Sequence, residues 1–349
     1  MYNYTETTKC TQYENFIMKL TPPYALFLGD ACDSLGLKMD NSIATWRKSQ
    51  CVGEITLPEC SVTTGLTHLS IKDAADNGAK SFVLGFNNAG GHIDTKYLPY
   101  IKLAIEKGMH IVNGLHDKLS DIPELVALAD KYHVDLVDIR HPTTRFKTAN
   151  GQKRTGKRLL TVGTDCSVGK MYTTLALHEA MISRGMNATF RATGQCGILV
   201  AGEGVAVDCV VSDFISGAVE ALTPDNAPEH WDFIEGQGSL FQPAFAGVTL
   251  GLIHGAQPDA LVVCHTLRRE FMRGMPGYKL PTVQQAVELN LLHARLTNPN
   301  CKVIGISLNT SAVDEKTARE TCLQISQETG LACQDPIRHG VDGLINQIA

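Results

Sequence analysis

The stretch that decides the fold of this chain is Gly163-Thr164-Asp165-Cys166-Ser167-Val168-Gly169-Lys170. A strand-like apolar run, residues 158–162, leads into it, and a run with helical periodicity, residues 172–181, follows it. In such a strand–loop–helix unit, glycines let backbone N–H groups turn toward phosphate oxygens, while the helix N-terminus and a lysine add positive charge. We therefore predict a phosphate-binding loop (the phosphate loop below) for a ligand with at least two phosphates.

The phosphate loop departs from the common G-x-x-x-x-G-K-[ST] pattern in two places. The spacing from Gly163 to Gly169 is one residue longer, and Met171 follows the lysine where a serine or threonine is usual. That hydroxyl ordinarily ligates Mg²⁺ beside the β- and γ-phosphates. Its absence argues against hydrolysis of a triphosphate but leaves binding of a pyrophosphate intact. Thr173, further into the helix, is an additional candidate for a phosphate contact.

Composition restricts the classes of protein to which the chain belongs. Its 349 residues fit two domains, and 44% hydrophobic with 19% charged residues is typical of globular proteins. A net charge of -5 without a basic run argues against nucleic-acid binding. No apolar run approaches the ~20 residues that span a bilayer. The polar N-terminus does not resemble a signal peptide, and scattered cysteines without C-x-x-C or zinc-ligand spacing predict a cytoplasmic protein without a metal site.

Alternating strand and helix patterns run through both halves of the chain and predict two α/β domains built on parallel sheets. A polar, basic segment, residues 143–157, separates them, so we assign residues 1–145 to the first domain and 146–349 to the second. Predicted strands cover 24–28, 80–86, 110–113, 134–138, 158–162, 187–191, 207–211, 231–235, 260–264 and 302–308. Predicted helices cover 97–107, 122–132, 171–184, 215–222 and 282–294.

Polar residues follow the predicted strand ends of the first domain. In open α/β sheets, ligands bind at this carboxyl edge. Asn88, His116, Arg140 and His141 are therefore candidate site residues. If the carboxyl edges of the two sheets face each other, two ligands can meet between the domains.

Four residues of the second domain are further candidates, each with a purely structural alternative. Glu235 ends an apolar strand and precedes glycines, where it approaches phosphates or Mg²⁺, or is simply solvated. Arg191 either holds a substrate carboxylate or pairs with a local acid. His265 is either a general base or a hydrogen-bonded structural histidine. Asn309 either reads a purine edge or forms a turn.

Two motifs carry a resemblance to known proteins. The phosphate loop resembles that of dethiobiotin synthetase, which shares the longer spacing but keeps a threonine after the lysine, and residues 235–238 resemble its Glu-Gly-Ala-Gly segment. The chain as a whole is more similar to a bacterial and archaeal family that joins a Rossmann-like N-terminal domain to a C-terminal domain resembling P-loop NTPases. The matching segments are residues 114–119, 138–142, 163–171 and 235–240.

This family includes D-glutamate N-acetyltransferases, so the resemblance implies transfer of acetyl from acetyl-CoA to D-glutamate in D-amino-acid catabolism. The phosphate loop would then hold the CoA pyrophosphate, with Asn309 on the adenine and Arg140 or Arg191 on the substrate carboxylates. The candidate bases are His116, His141, His265 and Glu235, and the turn at residues 236–238 is a candidate source of N–H donors for the thioester oxygen.

Two other functions remain open from the residues alone. An ATP- and Mg²⁺-dependent ligase or kinase of the dethiobiotin-synthetase type would use Lys170, Glu235 and a threonine, Thr173 or Thr174, around the metal. Met171 argues against this alternative. A nucleotide-gated regulatory module is the non-enzymatic alternative. The expected partners are CoA and a small amino-acid substrate, with no nucleic acid and no membrane, in a homo-oligomer.

Overall fold

The computed structural model describes residues 18–33, 36–88, 90–142 and 145–348. Of the first predicted domain, residues 1–17 thus lie outside the described part of the chain. Among the described helices, none is long and apolar enough to cross a membrane. The cysteines from Cys32 to Cys333 are free thiols.

The first domain is built on a five-stranded parallel sheet with the order β3-β2-β4-β5-β6. Its elements are β1 (Met18–Lys19), β2 (Tyr24–Gly29), α1 (Lys38–Trp46), β3 (Cys51–Thr56), α2 (Ile71–Asp76), β4 (Ser81–Leu84), α3 (Leu98–Glu106), β5 (His110–Asn113), α4 (Pro123–Tyr132) and β6 (Leu136–Asp138). Every residue of β2 is buried, as expected for a central parallel strand that is covered on both faces.

The second domain is built on a six-stranded parallel sheet with the order β13-β12-β11-β7-β10-β8. Its elements are β7 (Lys157–Gly163), α5 (Lys170–Ser183), β8 (Ala188–Arg191), α6 (Gln195–Ala201), β9 (Glu203–Gly204), α7 (Ile215–Leu222), β10 (Trp231–Ile234), α8 (Ala246–Ala256), β11 (Ala260–Thr266), α9 (Val283–Arg295), β12 (Lys302–Asn309), α10 (Glu315–Thr329), β13 (Ala332–Gln334) and α11 (Asp342–Ile345). Two parallel-sheet α/β domains are thus confirmed. The predicted boundary at residues 145 and 146 falls in the segment between β6 and β7.

One predicted strand is wrong, and several helices of the structure, among them α1 and α8, were not predicted. Residues 207–211 form no strand; they begin with a 3-10 turn, Val207–Cys209, and Val207 is buried under α7 and α8. An apolar run by itself does not distinguish a strand from a buried turn. The missed helix α8 contains three glycines, which lower helix propensity. Gly251 and Gly255 let α8 approach α7 closely, because a Cβ added at Gly251 would lie 2.7 Å from Ile215 Cγ2 and one added at Gly255 would meet Ser216.

The two domains share one hydrophobic core. Ile43 and Met39 of α1 pack in the same buried cluster as Ile198 and Leu199 of α6 and Leu175 of α5. The backbone of β1, which precedes the first sheet, pairs antiparallel with β9 of the second domain. At the rim of this core the Trp46 and Tyr172 rings meet edge to face with their centroids 5.8 Å apart. The relative position of the two sheets is therefore set by apolar packing.

We expect Ile43→Ala to lower the free energy of unfolding by ~2–5 kcal/mol, because truncation leaves a cavity in a fully buried site. Since the core belongs to both domains, urea should still unfold the whole chain in one transition. Fluorescence of Trp46 and Trp231, followed separately in Trp46→Phe and Trp231→Phe backgrounds, reports the two regions.

Ile182→Ala is the matched control, because Ile182 on α5 is 48% exposed and should tolerate truncation. Two separate transitions, only one of them shifted by Ile43→Ala, would show that the domains do not fold around a common core.

Candidate active site between the two domains

The carboxyl ends of both sheets open into one cleft of about 710 Å³. The first domain contributes residues that follow its strands, and the second contributes the phosphate loop and the segments after β8 and β10. Polar and charged residues that line the cleft are Lys38, Asn87, Arg140, Ser167, Lys170, Gln195, Asp208, Glu235, Gln237, Gln242 and Arg273. An apolar wall is formed by Met39, Ala244, Phe245, Val248 and Met275. The facing carboxyl edges and the mixed lining make this cleft the candidate active site.

The phosphate loop connects β7 to α5 as its sequence predicts. Gly163 has no room for a side chain, because an added Cβ would lie 2.7 Å from Val168 Cγ2. Gly169 caps α5 with a left-handed backbone, φ 102°, which glycine adopts without strain. Lys170, the first residue of α5, is buried, and its Nζ donates to the carbonyl oxygen of Asp165 at 2.9 Å. Burial lowers the pKa of Lys170.

Asp165 anchors the phosphate loop to the segment that follows β11. Its fully buried carboxylate accepts from the backbone N–H of Arg273 at 2.7 Å and lies 3.3 Å from the Arg269 guanidinium. Arg269 also donates to the carbonyl oxygen of Cys166 at 2.9 Å. The Arg273 guanidinium contacts the hydroxyl of Ser167. Residues some hundred positions further along the chain, Arg269 and Arg273, thus hold the phosphate loop in place.

The threonines near Lys170 point into the domain interior. Thr173 is fully buried, and its hydroxyl donates to Gly169 O at 3.0 Å and lies 2.7 Å from Ser307 Oγ. Thr174 donates to Lys170 O at 2.8 Å. Neither hydroxyl lines the cleft. The prediction of a phosphate contact by Thr173 therefore requires correction, because its hydroxyl is already engaged by β12 and by its own helix.

Glu235 is buried at the cleft wall, immediately after β10. One carboxylate oxygen, Oε2, accepts from the backbone N–H groups of Thr193 at 3.0 Å and Gly194 at 3.1 Å. Burial raises the pKa of Glu235 to about 7, although these two hydrogen bonds and the Lys38 ammonium oppose the shift. A carboxylate of this kind exchanges a proton near neutral pH. The backbone N–H of Gly236 donates to Thr161 Oγ1 at 3.0 Å, so this N–H is not available to a thioester oxygen.

Arg140 is a cation of the first domain that lines the cleft. Its Nε donates to Gly114 O at 3.1 Å, and its Nη1 donates to Asp208 of the second domain at 2.8 Å. The side chain is therefore fixed across the domain boundary. His141 Nε2 lies 2.9 Å from His116 O, and burial and the nearby Arg140 lower the pKa of His116. Neither histidine is part of the cleft lining.

The remaining predicted residues lie outside the cleft lining, and each has a structural partner. Asn88 closes its own loop by two hydrogen bonds with the backbone of His92, whereas its neighbour Asn87 lines the cleft. Arg191 pairs with the buried Asp232 at 2.7 Å. Asn309 accepts from the backbone N–H of Ser311 at 3.0 Å and so forms a turn. For Arg191 and Asn309, the contacts are those of the structural alternatives.

His265 lies behind the phosphate loop. Its Nδ1 is 3.0 Å from Thr164 Oγ1, and burial together with Arg269 lowers the pKa of His265 to about 4. The imidazole is therefore neutral at physiological pH and braces the loop. Among the described residues, no group of three or more His, Cys, Asp or Glu side chains is arranged to hold a metal ion.

Sequence reasoning missed two cations of the cleft, Lys38 and Arg273. Lys38 begins α1, a helix that was not predicted and that is the next helix after β2, whose last residue is Gly29. Arg273 follows β11 by several residues, in a segment without regular structure. Position after a strand end was the available signal for Lys38. For Arg273 only the length of the connection between β11 and α9 indicated a functional loop.

Both domains of the chain match domain models of one protein family, and most of the chain aligns with named relatives and with one crystal structure. The Rossmann-like domain model DUF1611_N matches residues 55–142, and the P-loop domain model DUF1611_C, also described as a domain of unknown function, matches residues 146–345. A Pseudoalteromonas protein named D-glutamate N-acetyltransferase is 57% identical over 94% of this chain and 99% of its own length. A Tritonibacter scottomollicae protein of the same name is 46% identical over 94% and 98%. The crystal structure of a DUF1611 family protein from Anabaena variabilis is 32% identical and superposes with a TM-score of 0.83 over 94% of this chain and 99% of that one.

We expect Lys170→Ala to weaken binding of a pyrophosphate ligand, such as CoA or ADP, by at least about tenfold. A charge-assisted contact to phosphate contributes ~1.5–3 kcal/mol. Calorimetric titration measures the affinity, and the melting temperature without ligand checks that the fold survives.

Lys316→Ala removes an ammonium whose side chain is 84% exposed on α10 and serves as the control. Equal affinities of the Lys170→Ala variant and this control would refute the placement of phosphates on the loop.

Proposed function

The chain belongs to the DUF1611 family, and we propose that it is a D-glutamate N-acetyltransferase. The observation that carries this proposal is the 57% identity to a protein of that name over 94% of the chain. The alignment covers both domains of this chain and nearly the whole length of the relative. The phosphate loop and the buried carboxylate of Glu235 in the cleft support this proposal, because they suit acyl transfer to an amine.

The acetyl donor in this proposal is acetyl-CoA. Its pyrophosphate suits the phosphate loop, whose glycines and buried Lys170 form the anion site. The apolar wall around Phe245 suits the uncharged arm that leads from the pyrophosphate to the thioester. The ATP- and Mg²⁺-dependent alternative is less favoured, because the Thr173 and Thr174 hydroxyls are engaged inside the domain.

The acceptor in this proposal is D-glutamate, and Arg140 is the residue that we assign to one of its carboxylates. Two of the Arg140 nitrogens already have partners, which hold the guanidinium at the cleft wall. A fixed guanidinium binds a carboxylate with little further loss of entropy. His141, Asn88 and Arg191 were predicted for the same task, and the lining of the cleft favours Arg140 over all three.

In the proposed reaction, the amine nitrogen of D-glutamate attacks the thioester carbonyl carbon. The amine gives up a proton, the carbon–sulfur bond breaks, and CoA leaves as the thiol or thiolate. Of the four candidate bases, His116, His141, His265 and Glu235, only Glu235 lines the cleft, and its pKa near 7 fits a base that works near neutral pH. We therefore assign proton acceptance to Glu235.

The setting of this reaction is also part of the proposal. The D-amino-acid catabolic pathway stays a prediction from the family resemblance. A cytoplasmic location is supported by the free thiols of the described cysteines. The homo-oligomer expected from the sequence stays a prediction.

Mass spectrometry of the purified protein with acetyl-CoA and D-glutamate tests the function. We expect N-acetyl-D-glutamate to form, and turnover to persist in EDTA because acyl transfer from a thioester needs no metal. L-glutamate and D-aspartate in parallel reactions measure selectivity for the acceptor. Absence of acetylated product, together with Mg²⁺-dependent release of phosphate from ATP, would instead support the ligase or kinase.

Glu235→Gln should lower kcat by ~10²–10⁴-fold, the usual contribution of a general base. The wild-type carboxyl loses its proton as pH rises through about 7, and a base must be unprotonated to act. The wild-type kcat/KM should therefore rise with pH through about 7, and this rise should be missing in the variant.

The glutamine side chain keeps an oxygen that accepts from the Thr193 and Gly194 N–H groups. The melting temperature of the Glu235→Gln variant should therefore stay close to that of the wild-type protein. His116→Asn, which changes a titratable group outside the cleft lining, should retain the rise. A Glu235→Gln variant with the wild-type pH profile would remove Glu235 from the role of base.

A further inference from the structure

The charge of a bound pyrophosphate must be balanced by cations, and the phosphate loop itself supplies only Lys170. In most loops of this type, Mg²⁺ adds positive charge and is held by a hydroxyl directly after the lysine. Here that position is Met171, 9% exposed and packed in the core between the domains. The hydroxyls of Thr173 and Thr174, the next along the helix, are bonded inside the domain. A pyrophosphate bound there without a metal ion is therefore balanced by protein groups of the cleft alone.

Arg273 is placed to be that cation. Its side chain lines the cleft and contacts Ser167, which stands exposed in the phosphate loop with a left-handed backbone, φ 53°. Its backbone N–H is held at 2.7 Å by the buried carboxylate of Asp165. The same loop carboxylate thus fixes the backbone of Arg273, while the guanidinium reaches Ser167 of the loop and lines the cleft.

Two neighbouring arginines lack this combination of properties. The Arg269 guanidinium is already matched by Asp165 at 3.3 Å and by Cys166 O. Arg268 is exposed, as Arg273 is, but it does not line the cleft. By contrast, in the described part of the chain no carboxylate lies within ion-pair distance of Arg273. Its charge is left for a ligand.

We propose that Arg273 is the second cation of the phosphate site and pairs with the pyrophosphate of CoA, so that it supplies the positive charge that Mg²⁺ supplies in metal-dependent loops. The site then selects a pyrophosphate diester bound without a divalent metal. Arginine suits this task because its planar fork reaches two phosphate oxygens at once. The assignment rests on the proposed function for its ligand, CoA, and goes beyond it by naming a residue that determines specificity.

Calorimetric titrations with CoA and with 3′-dephospho-CoA, both in EDTA, test this assignment without any acceptor. We expect Arg273→Ala to weaken binding of both ligands by about tenfold or more, as for loss of one charge-assisted contact. Arg273→Lys keeps the charge but lacks the planar fork, so its affinity for both ligands should lie between those of Arg273→Ala and the wild-type protein. Arg268→Ala removes the same charge from the same segment and should change affinity by less than about twofold.

Three outcomes would overturn the assignment. One is an unchanged affinity of Arg273→Ala for CoA. Another is a loss confined to CoA and absent with 3′-dephospho-CoA, which would place Arg273 on the 3′-phosphate. The third is wild-type protein that binds CoA only when Mg²⁺ is added. If Arg273→Ala does not fold, as judged from its melting temperature without ligand, Arg273→Lys decides between these outcomes and the expected one.

The same titrations separate this inference from the proposed function. Wild-type protein that binds no CoA overturns the proposed donor. Wild-type protein that binds CoA through Arg273 but transfers no acetyl group to D-glutamate leaves the phosphate site in place and overturns the acceptor.

Discussion

The hydrophobic core shared by α1, α5 and α6 is the interaction on which the rest of the structure depends. It buries apolar side chains from both domains in one cluster, so the two sheets hold a fixed relative position. Because that position turns both carboxyl edges toward each other, the loops after the strands meet in a single cleft. Met171 belongs to this core and to the cleft lining at once. The residue that removes the usual Mg²⁺ ligand is thus also a residue that joins the domains.

Burial determines the chemistry of the cleft. Lys170 and Glu235 are removed from solvent, and burial lowers the pKa of the first and raises that of the second. Burial makes the charged form of each group more costly, so a ligand that brings a partner charge is favoured. Asp165 remains matched by Arg269 and the Arg273 backbone, which keeps the phosphate loop in shape. One carboxylate organises the loop, and another faces the cleft.

The predictions made from sequence succeeded where local pattern and tertiary role coincide. β5 has its predicted bounds, and α5 begins and ends within one residue of prediction, because apolar periodicity and glycine positions are local properties. The phosphate loop was recognised for the same reason. The failures have tertiary causes. Gly251 and Gly255 let α8 approach α7 closely, and the segment 207–211 forms a turn of which Val207 is buried beneath these two helices.

The sequence by itself determined the two parallel-sheet domains, the phosphate loop and the lack of a hydroxyl after Lys170, since each depends on residues close together in the chain. Only the tertiary structure decided which polar residues share the cleft. Arg140 and Arg191 both lie at strand ends, yet Arg140 reaches the cleft while Arg191 pairs with Asp232. Lys38 and Arg273 reach it from segments without a recognisable motif. The physical reason is that a side chain's partner is selected by packing and charge in three dimensions, and these partners are often a hundred residues apart in the sequence.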